Sequence, residues 1–168
     1  IIPYINEGMR MVADGIAPSR VDNAARMLGF PVGPLQLVDE TSIDLGAKIA
    51  RATKAAMGNA YPDGIVDEVV FWMEEQGRIG RKANAGFFKY DENGKRLGYW
   101  EGLADRYPLL ETQPDLIDVQ HRLMFAQALE AIRALEEGVL MDIREGDVGA
   151  ILGWGFAPWS GGPLRWLD

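Results

Sequence analysis

The chain has 168 residues, 48% hydrophobic and 25% charged, enough to bury a core in one compact domain or two small ones and too apolar to stay disordered. Seventeen basic against 25 acidic residues leave a net charge of −8, the wrong sign for gripping a phosphate backbone, so no nucleic-acid partner is expected. The absence of cysteine excludes a disulfide framework, a thiolate metal site and thiol catalysis and suits a cytoplasmic location, and no apolar run reaches the roughly 18 residues of a transmembrane segment.

Ile2, Ile5, Met9, Val12 and Ile16 recur three and four apart, which predicts a helix that Gly15 ends by supplying a positive φ. The chain opens on Ile1 inside this stripe, as an excised piece would. Ser19 and Asp22 then stand three apart, as in a capping box, before an apolar-periodic segment to Leu28. The turn Gly29-Phe30-Pro31-Val32-Gly33-Pro34-Leu35 follows, with a helix expected to start at Pro34, where a missing N–H is harmless. Asp39 comes four residues after Leu35, and further helices are expected from about Ile43 to Met57 and from about Ile65 to Glu75. Phe87-Phe88-Lys89-Tyr90 and Leu97-Gly98-Tyr99-Trp100 flank Asn93-Gly94, which predicts a small hairpin. Residues 101–117, with Pro108 and Pro114, read as a connector, and another helix begins near Asp118.

That last helix repeats the first. Adding 123 to the first stripe gives Phe125, Ala128, Ile132, Leu135 and Val139, and the same offset pairs Glu7 with Glu130 and Gly15 with Gly138. Asp142 and Glu145 form a second capping box. A second turn, Gly155-Phe156-Ala157-Pro158-Trp159-Ser160-Gly161-Gly162-Pro163-Leu164, leads to Asp168, with a helix expected from Pro163. The fold class is therefore mainly α: two related helical domains, the second truncated, with a possible hairpin between them. The expected division is a first copy over 1–100, a connector over 101–117 and a second copy over 118–168. The two stripes are expected to supply core or copy-to-copy packing.

Chemistry-bearing residues are sparse. His121, the sole histidine, could act as a general base near neutral pH, but one histidine cannot build a metal site, and a helix-surface or interface role is preferred. Asp39, Glu40 and Asp44 could do paired-carboxylate chemistry; solvation or helix capping, with Thr41, Ser42 and Asp44 as candidate caps, is preferred. Arg78, Arg81, Lys82, Lys89, Lys95 and Arg96 concentrate positive charge that could hold a phosphate-bearing ligand or simply solvate a loop. The chain contains no strand–G-x-G-x-x-G unit, G-x-x-x-x-G-K-[ST], G-x-S-x-G or H-E-x-x-H. On residue chemistry alone it binds or assembles.

The two Gly-Phe turns, with Glu136-Glu137-Gly138 and the closing Pro163-Leu164-Arg165-Trp166-Leu167-Asp168, resemble the C-terminal region of the fatty-acid oxidation complex alpha subunit, in the 3-hydroxyacyl-CoA dehydrogenase family. Ile2-Pro3-Tyr4, Glu7, Asp39, Ile43-Asp44 and Gly80-Arg81-Lys82-Ala83-Asn84-Ala85-Gly86-Phe87-Phe88-Lys89-Tyr90 are similar to the helical domain following that enzyme's nucleotide-binding fold. Ala85, Ala157 and Ser160 depart from the family pattern. The resemblance implies a helical domain like the C-terminal one of 6-phosphogluconate dehydrogenase, duplicated into an internal pseudo-dimer, in a multifunctional beta-oxidation enzyme. It implies NAD as cofactor and a His–Glu acid–base pair, both on a preceding nucleotide-binding domain, so that this piece alone is inactive and itself takes no cofactor or metal. Expected partners are an acyl-CoA substrate, the nucleotide-binding domain and a thiolase subunit. Pro31, Gly33 and Pro34 are the candidate substrate-cleft residues; a strained helix entry would need the same residues. The alternative is a non-catalytic helical-repeat interaction module, which further helical copies upstream of Ile1, rather than a strand–G-x-G-x-x-G–helix unit, would favour.

Overall fold

The first apolar stripe becomes the central helix. Helix α1 (Ile2–Ala13) has a proline in its first turn and buries Tyr4, Met9, Met11 and Val12, a continuous face that neighbouring helices cover. It stops at Gly15, whose φ is +86° and where a Cβ would lie 2.6 Å from the Pro108 carbonyl oxygen, so backbone and packing both demand glycine. The computed structural model describes residues 1–62 and 64–168. Among these, α1 is packed by α2 (Pro18–Met27), α3 (Pro34–Thr41), α5 (Ile65–Glu75) and α7 (Leu116–Glu136), while α4 (Ile43–Met57) lies along α5. Strands β1 (Phe88–Tyr90) and β2 (Arg96–Tyr99) pair antiparallel, Phe88 opposite Tyr99, with an irregularity after Lys89. Short α6 (Gly102–Arg106) and then α8 (Ile143–Trp154) complete the regular elements, apart from four 3₁₀ turns.

The fold is mainly helical with one small hairpin, as expected, and α3, α4 and α5 begin where the sequence placed them. Other expectations need correction. Ser19 and Asp22 form no capping box: Ala17 is the N-cap of α2 and makes no side-chain cap, because Pro18 already fits the first helical position. Asp142 does cap α8, accepting from the Arg144 N–H at 2.8 Å. No α-helix starts at Pro163; a 3₁₀ turn, Arg165–Leu167, follows instead.

The connector is tied down. The Leu110 N–H donates to Gly15 O at 2.9 Å, while Gln113 donates to Gly15 O at 3.0 Å and accepts from Ala17 N–H at 2.8 Å. One glutamine thus satisfies the end of α1 and the start of α2. The second stripe is also differently placed. Helix α7 buries Val119, Leu123, Met124, Gln127 and Ala128, whereas Phe125 and Val139 of the expected stripe are 43% and 77% exposed.

The two similar sequence segments meet in the fold. Helix α7 packs on α1, where Arg122 reaches Glu7 at 2.6 Å and Asp14 at 2.9 Å. The Phe30 and Phe156 rings meet edge to face at 5.5 Å, and Tyr4 stacks on Phe30 at 4.9 Å. The Trp159 indole N–H donates to Leu28 O, fastening the second turn to the first.

Candidate functional site

Two buried carboxylates position α3. Asp22, 1% exposed, accepts from the Leu35 N–H at 2.9 Å and from the Tyr99 hydroxyl at 3.0 Å, so it caps α3 from a neighbouring helix. Gly33 makes room for it, since a Cβ there would lie 2.3 Å from the carboxylate. Burial pushes the Asp22 carboxyl up to about 6, against the opposing pull of its hydrogen bonds and of Arg26. Asp39, in the last turns of α3, is fully buried. It accepts from the Phe87 and Phe88 N–H groups at 2.8 and 3.0 Å and from the Tyr90 hydroxyl at 2.9 Å. Burial raises its pKa too, with those bonds and Arg78 opposing. Each end of α3 is thereby held to the hairpin through an Asp–Tyr pair. In the second turn Asp147 repeats the arrangement, accepting from Leu164 N–H at 2.8 Å, with Gly162 making the room.

On its other face α3 walls a groove of about 530 Å³. Ile2, Ile5 and Met9 of α1 form one side, and Leu37, Val38 and Thr41 of α3 the next. Leu45, Gly46 and Ile49 of α4 and Val66 and Val70 of α5 close it. Ile1, Ile2, Leu45 and Ile49 are each about half exposed, and all four converge on this groove. A converging apolar slot with a few polar groups, here Asn6, Thr41, Ser42, Thr53, Tyr61 and Asp67, is the form of a binding site for an apolar ligand.

Pro31, Gly33 and Pro34 do not line it. Pro31 lies where a Cβ on Gly155 would meet it at 2.7 Å, Gly33 adjoins Asp22, and Pro34 lies where a Cβ on Gly8 would meet it at 2.6 Å. Asp39, expected to be solvated or to cap a helix start, instead organises residues 86–90 from inside. Asp44 lies 2.6 Å from Lys82 and 3.4 Å from Lys48, and Glu40 accepts from Gln36. His121 is exposed on α7, with its ring 5.9 Å from Phe125 and 6.3 Å from Trp166.

The basic segment is engaged internally. Arg78 donates to the Gly86 and Phe88 carbonyls and lies 4.2 Å over the Trp100 ring. Lys89 pairs with Glu101, and Arg96 lies over Phe88. Four of the six cations thus have structural partners, which favours the reading without a phosphate ligand. Sequence reasoning missed Asp147 and the α4 wall. The signal for the wall was a second apolar row, Leu45 and Ile49, four apart beside the inward Ile43, Ala47 and Ala50.

Among the described residues no cluster of three or more metal-ligating side chains occurs, and no helix is long and apolar enough to cross a membrane. These residues do not fit NAD. The sheet is a two-stranded antiparallel hairpin, whereas a dinucleotide's pyrophosphate is received by a glycine turn between a parallel strand and a helix.

Comparison with known proteins agrees with this architecture. The sequence profile described as 3-hydroxyacyl-CoA dehydrogenase, C-terminal domain, matches residues 1–90, which contain the whole groove lining. The dehydrogenase part of multifunctional enzyme 1 from C. elegans is similar at 26% identity and a TM-score of 0.69, over 92% of this chain and 35% of that one. The 3-hydroxybutyryl-CoA dehydrogenase from Escherichia coli K12 shares the fold at 18% identity and a TM-score of 0.65, over 98% of this chain and 50% of that one. The chain therefore spans about a third and a half of the lengths of these two structures. With more than half its length matched by the profile, the chain belongs to the 3-hydroxyacyl-CoA dehydrogenase family, as its C-terminal helical domain.

Proposed function

We propose that this chain is the helical part of an NAD-dependent 3-hydroxyacyl-CoA dehydrogenase in a multifunctional, cytoplasmic enzyme of fatty-acid beta-oxidation. Its groove forms one wall of the acyl-thioester cleft. The observation that carries the reading is the apolar slot between α1, α3, α4 and α5, which lies wholly within the family-matched residues. NAD and the His–Glu acid–base pair belong, in this reading, to a nucleotide-binding domain outside these 168 residues, which closes over the slot. Pro31, Gly33 and Pro34 act at one remove, by setting where α3 begins. Residues 1–100 and 118–168 are two copies of one module joined by 101–117, with the second mainly supporting the first. The cap shared by Asp22 and Asp147 supports this. A thiolase subunit is the expected partner of the complete enzyme.

Purified residues 1–168 should reduce no NAD with 3-hydroxybutyryl-CoA, followed by absorbance of the reduced nicotinamide. Fusing a nucleotide-binding domain of the same family ahead of Ile1 should restore turnover. Turnover by the chain alone would overturn the assignment of the chemistry elsewhere.

A further inference from the structure

Glycine is the least favourable residue for a helix interior after proline, yet Gly46 stands within α4. Many glycines of the fold are explained by a close contact or a positive φ, but inside the helices Gly46 of α4 and Gly149 and Gly153 of α8 are not. A Cβ at Gly33 or Gly86 would lie 2.3 or 2.2 Å from an aspartate carboxyl, and Gly15 and Gly29 have φ of +86° and +95°. Gly46 has neither reason. Its backbone is helical, and a Cβ built on it meets only the two Val70 methyls, at 3.8 and 3.9 Å, which is ordinary contact. Backbone and packing would both accept alanine. Of these three, Gly46 is the one that lines the groove, between the half-exposed Leu45 and Ile49.

We propose that Gly46 is the depth gauge of the groove, and that the bare backbone there admits the tail of a medium-to-long acyl chain. This rests on the reading of the groove as a wall of the acyl cleft. A flat face for docking a protein domain would gain contact area from a side chain at 46, whereas a slot for a polymethylene tail needs that side chain absent. The groove's 530 Å³ or so exceeds more than tenfold the about 30 Å³ that one water molecule takes up in the liquid, which is room for at least a dozen groups of methylene size. A four-carbon chain would leave most of it empty. The polar groups Asn6, Thr41 and Asp67 give the slot the mixed lining that fixes a ligand's orientation.

The test is calorimetric titration of residues 1–168 with saturated acyl-CoAs of four, eight and twelve carbons. Full burial would give about fourfold in affinity per methylene; for an open groove the expected gain from four to twelve carbons is at least a hundredfold. In Gly46→Leu the twelve-carbon affinity should fall at least tenfold and the four-carbon affinity stay within twofold, with no loss of thermal midpoint. Gly46→Ala should raise the midpoint. An unchanged length profile in Gly46→Leu overturns the gauge and leaves the groove reading standing, and a Gly46→Leu that fails to fold overturns it by showing that there is no room. A wild-type chain with no preference for twelve carbons over four overturns the groove reading itself.

Discussion

Ser42 joins α3 to α4 with φ of +80° and ψ of +126°, a combination that only glycine adopts without strain. Its side chain makes no capping hydrogen bond in return, although its position at the N-cap was legible in the sequence. Asn84, at φ +53° and ψ +23°, occupies the left-handed well that asparagine tolerates. Ser42 therefore carries the larger strain, and Ser42→Gly should stabilise the chain by about 1 kcal/mol after the entropy of the freer unfolded chain is subtracted. The check is a urea titration in which the midpoint rises at constant m; an unchanged or lower midpoint contradicts it. Other residue roles could not be read locally. Asp39 looked like one of three clustered surface acids, and its partners lie 48, 49 and 51 residues away. No spacing rule reaches that far.

Helix α3 is short, and its position depends on the groups at its ends more than on its own propensity. The N-terminal holder is Asp22, faced by the Leu35 N–H, the Tyr99 hydroxyl and Arg26, with Tyr4 nearby. Its folded pKa of about 6 stands above the ordinary 3.8, so between about pH 4 and 6 the folded chain holds a proton that the unfolded chain has released. Stability from this group is greatest below that window and falls as pH rises through it. Asp22→Asn removes the buried charge while its amide oxygen still accepts from Leu35. Relative to wild type, the variant should gain stability from about pH 4 to 6 and level off above, measured by denaturant unfolding at each pH. A difference that is flat across pH 4–7 would exclude an elevated pKa. The same scale shows what periodicity can deliver. Helix α5 has one apolar face, and its boundaries were legible. Helices α4 and α7 each carry two, so the pattern defined their extent but not their rotation. That is why the groove row Leu45–Ile49 and the buried row Val119–Leu123 were missed.

At the scale of the molecule, the likeness between the two segments was legible as rhythm and turn composition, and the way they pack was not. Val119, Leu123 and Met124 are at most 1% exposed because they lie on α1 and α2, and each buried side chain of this size contributes about 1.5–3 kcal/mol. Phe30 against Phe156, the ion pairs of Arg122 with Glu7 and Asp14, and the Trp159 bond to Leu28 continue the same contact surface. The connector binds the α1–α2 turn through Leu110 and Gln113, so no free hinge divides the chain at 101–117. A shared core without a hinge unfolds as one unit. Thermal unfolding of residues 1–168 should give a single transition with calorimetric and van't Hoff enthalpies equal, and residues 1–100 alone should melt at a lower temperature with a broader transition, because α1 and α2 lose their cover. Arg122→Ala in the full chain should lower the single midpoint without splitting it. Two resolved transitions, or a 1–100 piece as stable as the whole, would show that the two segments stand independently and that α7 is an appendage to the groove-bearing half.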